Sequence, residues 1–156
     1  ADGEKFATVC MLDVPGDPNE TTLRFFPNGE LLALVRREGG NRMGYIGASK
    51  PPYQDWKWHE TKHRLGGPNF IRLPDGKWLA SSRGYGGSVK KIFAPVGAPR
   101  VEANLELPSG GDTSYAGMVW HDGHLWLSYY SSHEGKSAIY LARIEIPLQP
   151  KLQGGS

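Results

Sequence analysis

Apolar residues along this chain come in short runs that reverse at Asn-Gly or Asp-Gly tips, a pattern typical of β-hairpins. Three such tips occur, and their glycines, Gly29, Gly76 and Gly123, are spaced 47 residues apart. An ungapped repeat of this length predicts stacked copies of one supersecondary unit. The repeated segments are residues 22–36, 69–83 and 116–130.

Each copy continues, after its hairpin, with a Gly-rich loop and a third apolar strand. A fourth strand-like segment follows in the first two copies, at residues 56–61 and 101–107. Four strands in about 40–50 residues, repeated, are typical of a β-propeller blade. We therefore expect an all-β protein with three four-stranded blades in a single domain of residues 1–150, followed by a flexible tail at 151–156. The expected blades cover about residues 19–65, 66–108 and 112–146.

The third copy has no fourth strand of its own, because Pro147 and Pro150 end it. The apolar segment at residues 6–14 is strand-like and is expected to close this last blade. Three blades do not close a ring, since propellers typically have four to eight. We expect a homodimer that forms six blades, in which residues 6–14 of one chain complete the last blade of the other. The alternative is that this chain is one half of a longer parent protein.

Composition supports this fold class and leaves the location of the protein open. The 156 residues include 21 glycines and 12 prolines, which is typical of a turn-rich all-β protein. The single cysteine, Cys10, excludes an intrachain disulfide. No apolar run approaches the roughly 18 residues of a membrane span, so we expect a soluble protein, with secretion or a periplasmic location open if a signal peptide has been removed. No helix follows the Gly-Gly pairs, so none of them is expected to be a phosphate-binding loop. No cofactor is expected either.

Charge is unevenly distributed although the net charge is only +2. Residues 42–100 carry 11 Lys and Arg against 3 Asp and Glu. A basic region of this kind favours an anionic ligand, and a solvated outer face is the competing interpretation. A nucleic-acid partner is not expected, because no nucleic-acid motif is present.

Several segments resemble the blades of sialidase (neuraminidase) propellers of the BNR Asp-box superfamily. Residues 19–36 and 67–83 each run through an apolar strand and an Asn-Gly or Asp-Gly turn and end on an arginine. Residues 112–118 are similar to the segment that carries the family's nucleophilic tyrosine. Residues 49–58 resemble a degenerate Asp-box. The resemblance corresponds to the C-terminal half of such an enzyme.

The resemblance implies a role for four residues. Tyr115 would be the nucleophile, Glu20 its base, and Arg36 and Arg83 two members of the triad that binds the substrate carboxylate. Guanidinium groups bind carboxylates in a bidentate, charge-assisted way. A neutral tyrosine avoids the repulsion that a carboxylate nucleophile would meet there, and it needs a base because its pKa is about 10.

The family's acid/base aspartate and its remaining arginine match no segment of this chain. Because neighbouring strands run antiparallel, the ends that carry the four site residues are expected on one face, opposite the hairpin tips. Further substrate-binding residues are expected from adjacent loops on that face. They are Tyr85, Asp112, Tyr130 and His133.

Structural roles remain open for the four residues of the resemblance. Arginine at the equivalent repeat positions 36 and 83 also suits packing between blades, a tyrosine such as Tyr115 is common in strands, and Glu20 also suits the capping of a turn.

Arg37 and Glu38 are interpreted as a local ion pair. His121 and His124 flank a hairpin tip, and no metal site is expected there. Three functions therefore remain open: a retaining exo-α-sialidase-type glycosidase acting on anionic sugars, a glycan-binding module without chemistry, and a propeller fragment that only self-assembles.

Overall fold

The computed structural model describes residues 3, 5–85, 89–92 and 105–148. These residues form an all-β structure of antiparallel sheets, two with four strands and one with three, which confirms the predicted fold class at this level. Within them, no helix has the length and apolarity to cross a membrane. The strands are β1 (Pro18–Phe25), β2 (Leu31–Arg37), β3 (Met43–Ser49), β4 (Trp56–Arg64), β5 (Asn69–Arg72), β6 (Trp78–Arg83), β7 (Val89–Ile92), β8 (Glu106–Leu107), β9 (Ser114–His121), β10 (His124–Ser131) and β11 (Ala138–Ile144).

Strands follow the order of the chain within each sheet: β1 to β4, β5 to β8, and β9 to β11. The first two strands of each sheet form a hairpin, and the tips contain Gly29, Gly76 and Gly123 at φ values of 82°, 90° and 76°. Glycine adopts this left-handed region without the steric penalty that other residues meet. The repeat therefore specifies where each sheet reverses.

The apolar core lies between successive sheets. Leu32, Leu34, Phe70 and Trp78 pack between the first sheet and the second, where Trp78 meets Phe26 edge to face at 5.0 Å. A second cluster lies between the second and third sheets and includes residues from β6, β9 and β10. Because each sheet buries a face against the next, the three sheets form one continuous row.

Contacts across the row join positions separated by about one repeat. The Thr22 hydroxyl donates to the Pro68 carbonyl at 2.7 Å, and the Asn69 amide donates to the Ala116 carbonyl at 2.7 Å. These contacts link β1 to β5 and β5 to β9, the first strands of the three sheets. The starts of these strands are therefore adjacent.

No strand forms at residues 6–14 in the single chain, so the predicted strand is wrong at this level, while its pairing with a partner chain stays a prediction. The segment instead lies along the outer face of the first sheet, where Val14 packs against Ala33 and Val35 and the Cys10 thiol donates to the Tyr53 carbonyl at 3.3 Å. The third sheet consequently has three strands in the described part of the chain. The predicted tail at 151–156 and most of the predicted strand at 101–107 lie outside the described residues.

Candidate functional site

The turn between β4 and β5 supports the candidate site. The Gly66 carbonyl accepts hydrogen bonds from the Arg83 amide at 2.8 Å and from the Ser114 hydroxyl at 3.0 Å. Gly67 has a φ of +53°, and a Cβ atom there would lie 2.7 Å from the Tyr115 amide nitrogen and would overlap the Ser114 hydroxyl. Glycine is therefore required at the point where the start of β9 meets this turn.

Tyr115 is directed to the site by an irregularity in β9. The register of β9 against β10 shifts between the pairs of Ser128 and Tyr130, and Tyr115 has a φ of +53°. Bulges of this kind re-aim side chains, and a positive φ at a tyrosine is a strained conformation of the kind that clusters at functional sites. The Tyr115 hydroxyl donates to Glu20 Oε1 at 2.5 Å, although 95 residues separate the two in sequence.

Glu20 lies at a matching irregularity in β1, between the register pairs of Pro18 and Thr21. Its Oε2 accepts from the Gly67 amide at 2.6 Å, and its Oε1 also pairs with Arg36 Nη1 at 2.9 Å. Partial burial acts to raise the pKa of Glu20, but the hydrogen bonds from Tyr115, Gly67 and Arg36 outweigh it and lower that pKa. Glu20 is therefore held as a carboxylate directed at a phenol.

The pKa of the Tyr115 phenol shifts in the opposite direction. The hydrogen bond to Glu20 is the main cause that raises the pKa of Tyr115, and the charge of Glu20 adds to it. Arg36 and Arg83 act in the other direction but do not reverse the shift. The pair is consequently a neutral phenol and an ionised base, the arrangement that activates a hydroxyl nucleophile by removing its proton as it attacks.

Arg36 connects this pair to a second set of charges. Its Nη2 bonds to Glu38 Oε1, and Glu38 Oε2 accepts from Arg64 Nη2 at 3.1 Å. The Arg64 guanidinium lies 3.7 Å from the centre of the Tyr85 ring, and the Tyr85 hydroxyl donates to the Leu65 carbonyl at 3.1 Å. Tyr85 therefore reaches the site through Arg64.

Arg83 occupies the other side of the site. Its Nη2 pairs with Asp112 Oδ1 at 3.2 Å and donates to the Tyr130 hydroxyl at 3.1 Å, while Nε donates to the Thr113 carbonyl at 2.8 Å. The Tyr130 hydroxyl in turn donates to Asp112 at 2.8 Å. The Tyr115 and Tyr130 rings lie 6.3 Å apart at 23°, so the two sides are neighbours.

The structure thus brings seven of the eight sequence-predicted residues together at one end of the strands, the end opposite the hairpin tips. His133 is the exception. Its ring lies 4.5 Å from that of Tyr140, and its Nδ1 is 3.0 Å from the Ser131 hydroxyl. No described contact joins His133 to the other site residues.

Two residues of the site were missed from the sequence. Glu38 and Arg64 both contact the network around Arg36, whereas the predicted local pair of Arg37 and Glu38 is wrong. Arg37 is buried and binds Glu60 at 3.2 Å together with backbone carbonyls. Side chains alternate across a strand, so Arg36 and Arg37 point to opposite faces, a signal that would have separated their partners.

Among the described residues, no group of three or more His, Cys, Asp or Glu side chains is arranged to hold a metal ion. At the third hairpin tip, His124 Nδ1 lies 2.6 Å from the Asp122 carbonyl. The side chains that meet at the candidate site are carboxylates, guanidinium groups and phenols.

Comparison with known proteins finds likeness in structure and not in sequence. No family model matches the sequence, and neither does any curated protein. A protein of unknown function from Dyadobacter fermentans DSM 18053 is similar over 83% of this chain and 38% of its own, at 20% identity and a TM-score of 0.73.

A second solved structure, Xyloglucan PUL GH43B of Bacteroides ovatus, is similar over 86% of this chain and 28% of its own, at 15% identity and a TM-score of 0.64. This distant neighbour is a glycoside hydrolase. The chain spans well under half the length of both structures. At these identities the likeness shows the all-β fold that this chain shares with part of each.

Proposed function

We propose that this chain carries a sialidase-like glycoside hydrolase site that acts on sugars bearing a carboxylate. The observation that carries the proposal is the 2.5 Å hydrogen bond from the Tyr115 hydroxyl to Glu20. The glycoside hydrolase among the structural neighbours supports a carbohydrate-related function in general, and the resemblance of the site segments supports the sialidase assignment in particular.

In this proposal, Tyr115 Oη attacks the anomeric carbon while its proton passes to Glu20. The bond from that carbon to the leaving oxygen breaks, and an acid not assigned to any described residue protonates the leaving group. Water then attacks the anomeric carbon and gives its proton to the conjugate base of the unassigned acid. The bond to Tyr115 Oη breaks as Glu20 returns its proton to the phenol oxygen. Two displacements at the same carbon retain its configuration. Arg36 and Arg83 are the candidates for holding the sugar carboxylate.

A fluorogenic sialoside assay tests this proposal. We expect turnover that Tyr115→Phe abolishes and that Glu20→Gln lowers by about 10²- to 10⁴-fold, the usual range for a general base. Tyr140→Phe is the matched control, because Tyr140 bonds to Glu134 and lies away from Glu20. Turnover that survives in Tyr115→Phe would exclude the tyrosine as nucleophile.

The alternative is a glycan-binding module without chemistry. Two observations favour this alternative. No described residue is assigned as the acid that the reaction needs, and Arg83 already pairs with Asp112. This alternative predicts that N-acetylneuraminic acid binds without turnover of sialosides and that Arg83→Ala weakens binding. Calorimetry beside the turnover assay separates the two functions, and absence of both binding and turnover contradicts both.

We further propose that the three sheets are propeller blades and that a second copy completes a six-bladed ring. Both ends of the row expose apolar side chains: Leu23 and Phe25 on the first sheet, and Val119, Ile139 and Leu141 on the third. A two-fold axis would place each end against the opposite end of the partner and cover both faces at once. These exposed apolar faces also support the third function, a propeller fragment that only self-assembles and binds no ligand.

Native mass spectrometry tests the pairing. The chain has a mass of 17.2 kDa, so we expect a species of twice that mass. Leu141→Asp should give the single-chain mass, because it places an unpaired charge in the covered face. Lys136→Asp, on the loop before β11, is the control for an added acidic residue. A folded single-chain species at micromolar concentration would exclude the pair.

A further inference from the structure

Glu38 is held between two guanidinium groups at the edge of the candidate site. One carboxylate oxygen bonds to Arg36 Nη2 and the other accepts from Arg64 Nη2 at 3.1 Å. The Glu38 amide donates to the Asp17 carbonyl at 3.1 Å, which fixes the backbone from which the side chain extends. Glu38 is therefore constrained from both its backbone and its side chain.

Arg64 is itself anchored. Its guanidinium lies over the Tyr85 ring at 3.7 Å, a cation–π contact, and the Tyr85 hydroxyl is tied to the Leu65 carbonyl. The contacts run in one unbroken series of alternating charges, from Arg64 to Glu38, Arg36 and Glu20. Tyr115 is the end of this series.

The two terminal nitrogens of Arg36 serve different carboxylates. Nη1 pairs with Glu20 at 2.9 Å, Nη2 bonds to Glu38, and the buried Nε has no partner. A guanidinium group that faced Glu20 alone would present both terminal nitrogens in the bidentate geometry that arginine and carboxylate prefer. Arg36 Nη1 and the Tyr115 hydroxyl already share Glu20 Oε1, so a guanidinium group that turned fully to Glu20 would compete more strongly with Tyr115 for Oε1 and with the Gly67 amide for Oε2.

We propose that Glu38 is a positioning residue, which together with Arg64 holds one edge of the Arg36 guanidinium away from Glu20 and so limits the competition of Arg36 with Tyr115 for Glu20 Oε1. The catalytic consequence rests on the proposed function, whereas the geometric effect on Tyr115 does not. Removing Glu38 lets Arg36 turn fully to Glu20, so the hydrogen bond from Tyr115 to Glu20 weakens. Removing Arg64 lets Glu38 draw Arg36 away from Glu20, which strengthens the bond between Glu20 and Tyr115.

The pKa of Tyr115 reports this effect without any need for turnover. The groups that set it are Glu20, which raises it, and Arg36 and Arg83, which lower it. The measurement is NMR titration of the chain labelled with ¹³C at tyrosine Cζ, with the Tyr115 signal assigned by its loss in Tyr115→Phe. We expect Glu38→Gln to lower the pKa of Tyr115 toward that of an ordinary tyrosine, and Arg64→Gln to raise it.

A double-mutant cycle separates positioning from charge acting through space. If Arg64 acts through Glu38, Arg64→Gln has no effect on the Tyr115 pKa when Glu38 is already glutamine. Equal effects of Arg64→Gln in both backgrounds would overturn the proposal. Glu60→Gln is the matched control, because Glu60 pairs with Arg37 at 3.2 Å in the same sheet and does not touch Arg36.

The proposal is also overturned if Glu38→Gln shifts the pKa of Tyr115 no more than Glu60→Gln does. Glu38→Ser gives the same readout if the glutamine variant is poorly folded. Where sialosides are turned over, Glu38→Gln should lower kcat with little change in KM. A shifted Tyr115 signal in a chain without turnover supports the role of Glu38 and contradicts the sialidase function, so the two failures are distinct.

Discussion

Gly67 offers the most direct test of how the site is built. Replacing it by alanine adds a Cβ that would overlap the Ser114 hydroxyl and lie 2.7 Å from the Tyr115 amide nitrogen, at a φ of +53°. A left-handed alanine costs about 1–2 kcal/mol and the overlap about 1–3 kcal/mol more. Displacing the amide that donates to Glu20 at 2.6 Å removes part of a charge-assisted bond. We expect a total loss of roughly 2–5 kcal/mol in the free energy of unfolding.

Gly29→Ala is the matched control. Gly29 has a φ of +82° at a hairpin tip, and a Cβ added there meets no atom within 4 Å, so only the backbone cost of about 1–2 kcal/mol applies. Urea unfolding at one protein concentration measures both, and with a slope of about 1–3 kcal/mol per molar the two midpoints should differ by about 1 M. Equal losses for the two variants would refute the argument that the start of β9 packs on Gly67.

Two further predictions test where the core lies and whether Glu20 is ionised. Leu79→Ala removes a fully buried side chain between the second and third sheets and should cost about 2–5 kcal/mol by urea unfolding, whereas Leu148→Ala, at an exposed position after β11, should cost under about 1 kcal/mol; similar losses would contradict this location of the core. Glu20 has a lowered pKa in the folded chain, so it stabilises the fold above its unfolded pKa of about 4.3, and this contribution is lost as the pH falls through the folded value. The stability difference between wild type and Glu20→Gln should therefore shrink from pH 7 to pH 3 in urea titrations, and a difference that grows would contradict the ionised base.

The repeat carried most of the information about the fold. Because equivalent positions of neighbouring sheets lie about 47 residues apart, the interval that appears in the sequence reappears in contacts such as that of Glu20 with Gly67 and that of Arg83 with Tyr130. Antiparallel pairing then places the start of each first strand beside the end of each second strand. The local sequence patterns and the interval of 47 residues were enough to predict that Tyr115 lies close to Glu20.

Features that do not repeat could not be predicted in this way. The segment at residues 6–14 is apolar enough for a strand, yet a strand also needs an edge to pair with, and in the single chain this segment packs on the first sheet through Val14. Arg64 and Glu38 meet because β4 extends to Arg64 and the loop after β2 brings Glu38 to it. His133, in the loop after β10, packs against Tyr140 of β11 and not against the other site residues. Each outcome depends on loop conformations that periodicity does not describe.

The balance of charge bears on how an anionic sugar would enter the proposed site. Arg36 and Arg83 each face a carboxylate of the chain, so the carboxylate of a ligand must compete with an internal one. The Glu20 side chain is only 23% exposed and accepts three hydrogen bonds, whereas that of Asp112 is 72% exposed and meets Arg83 at 3.2 Å. Exposed ion pairs contribute little to stability, at most about 1 kcal/mol. A partly buried ion pair whose carboxylate is fully hydrogen-bonded is costly to break. Under the proposed function, a ligand carboxylate therefore displaces Asp112 from Arg83 and leaves Glu20 in place beside Tyr115.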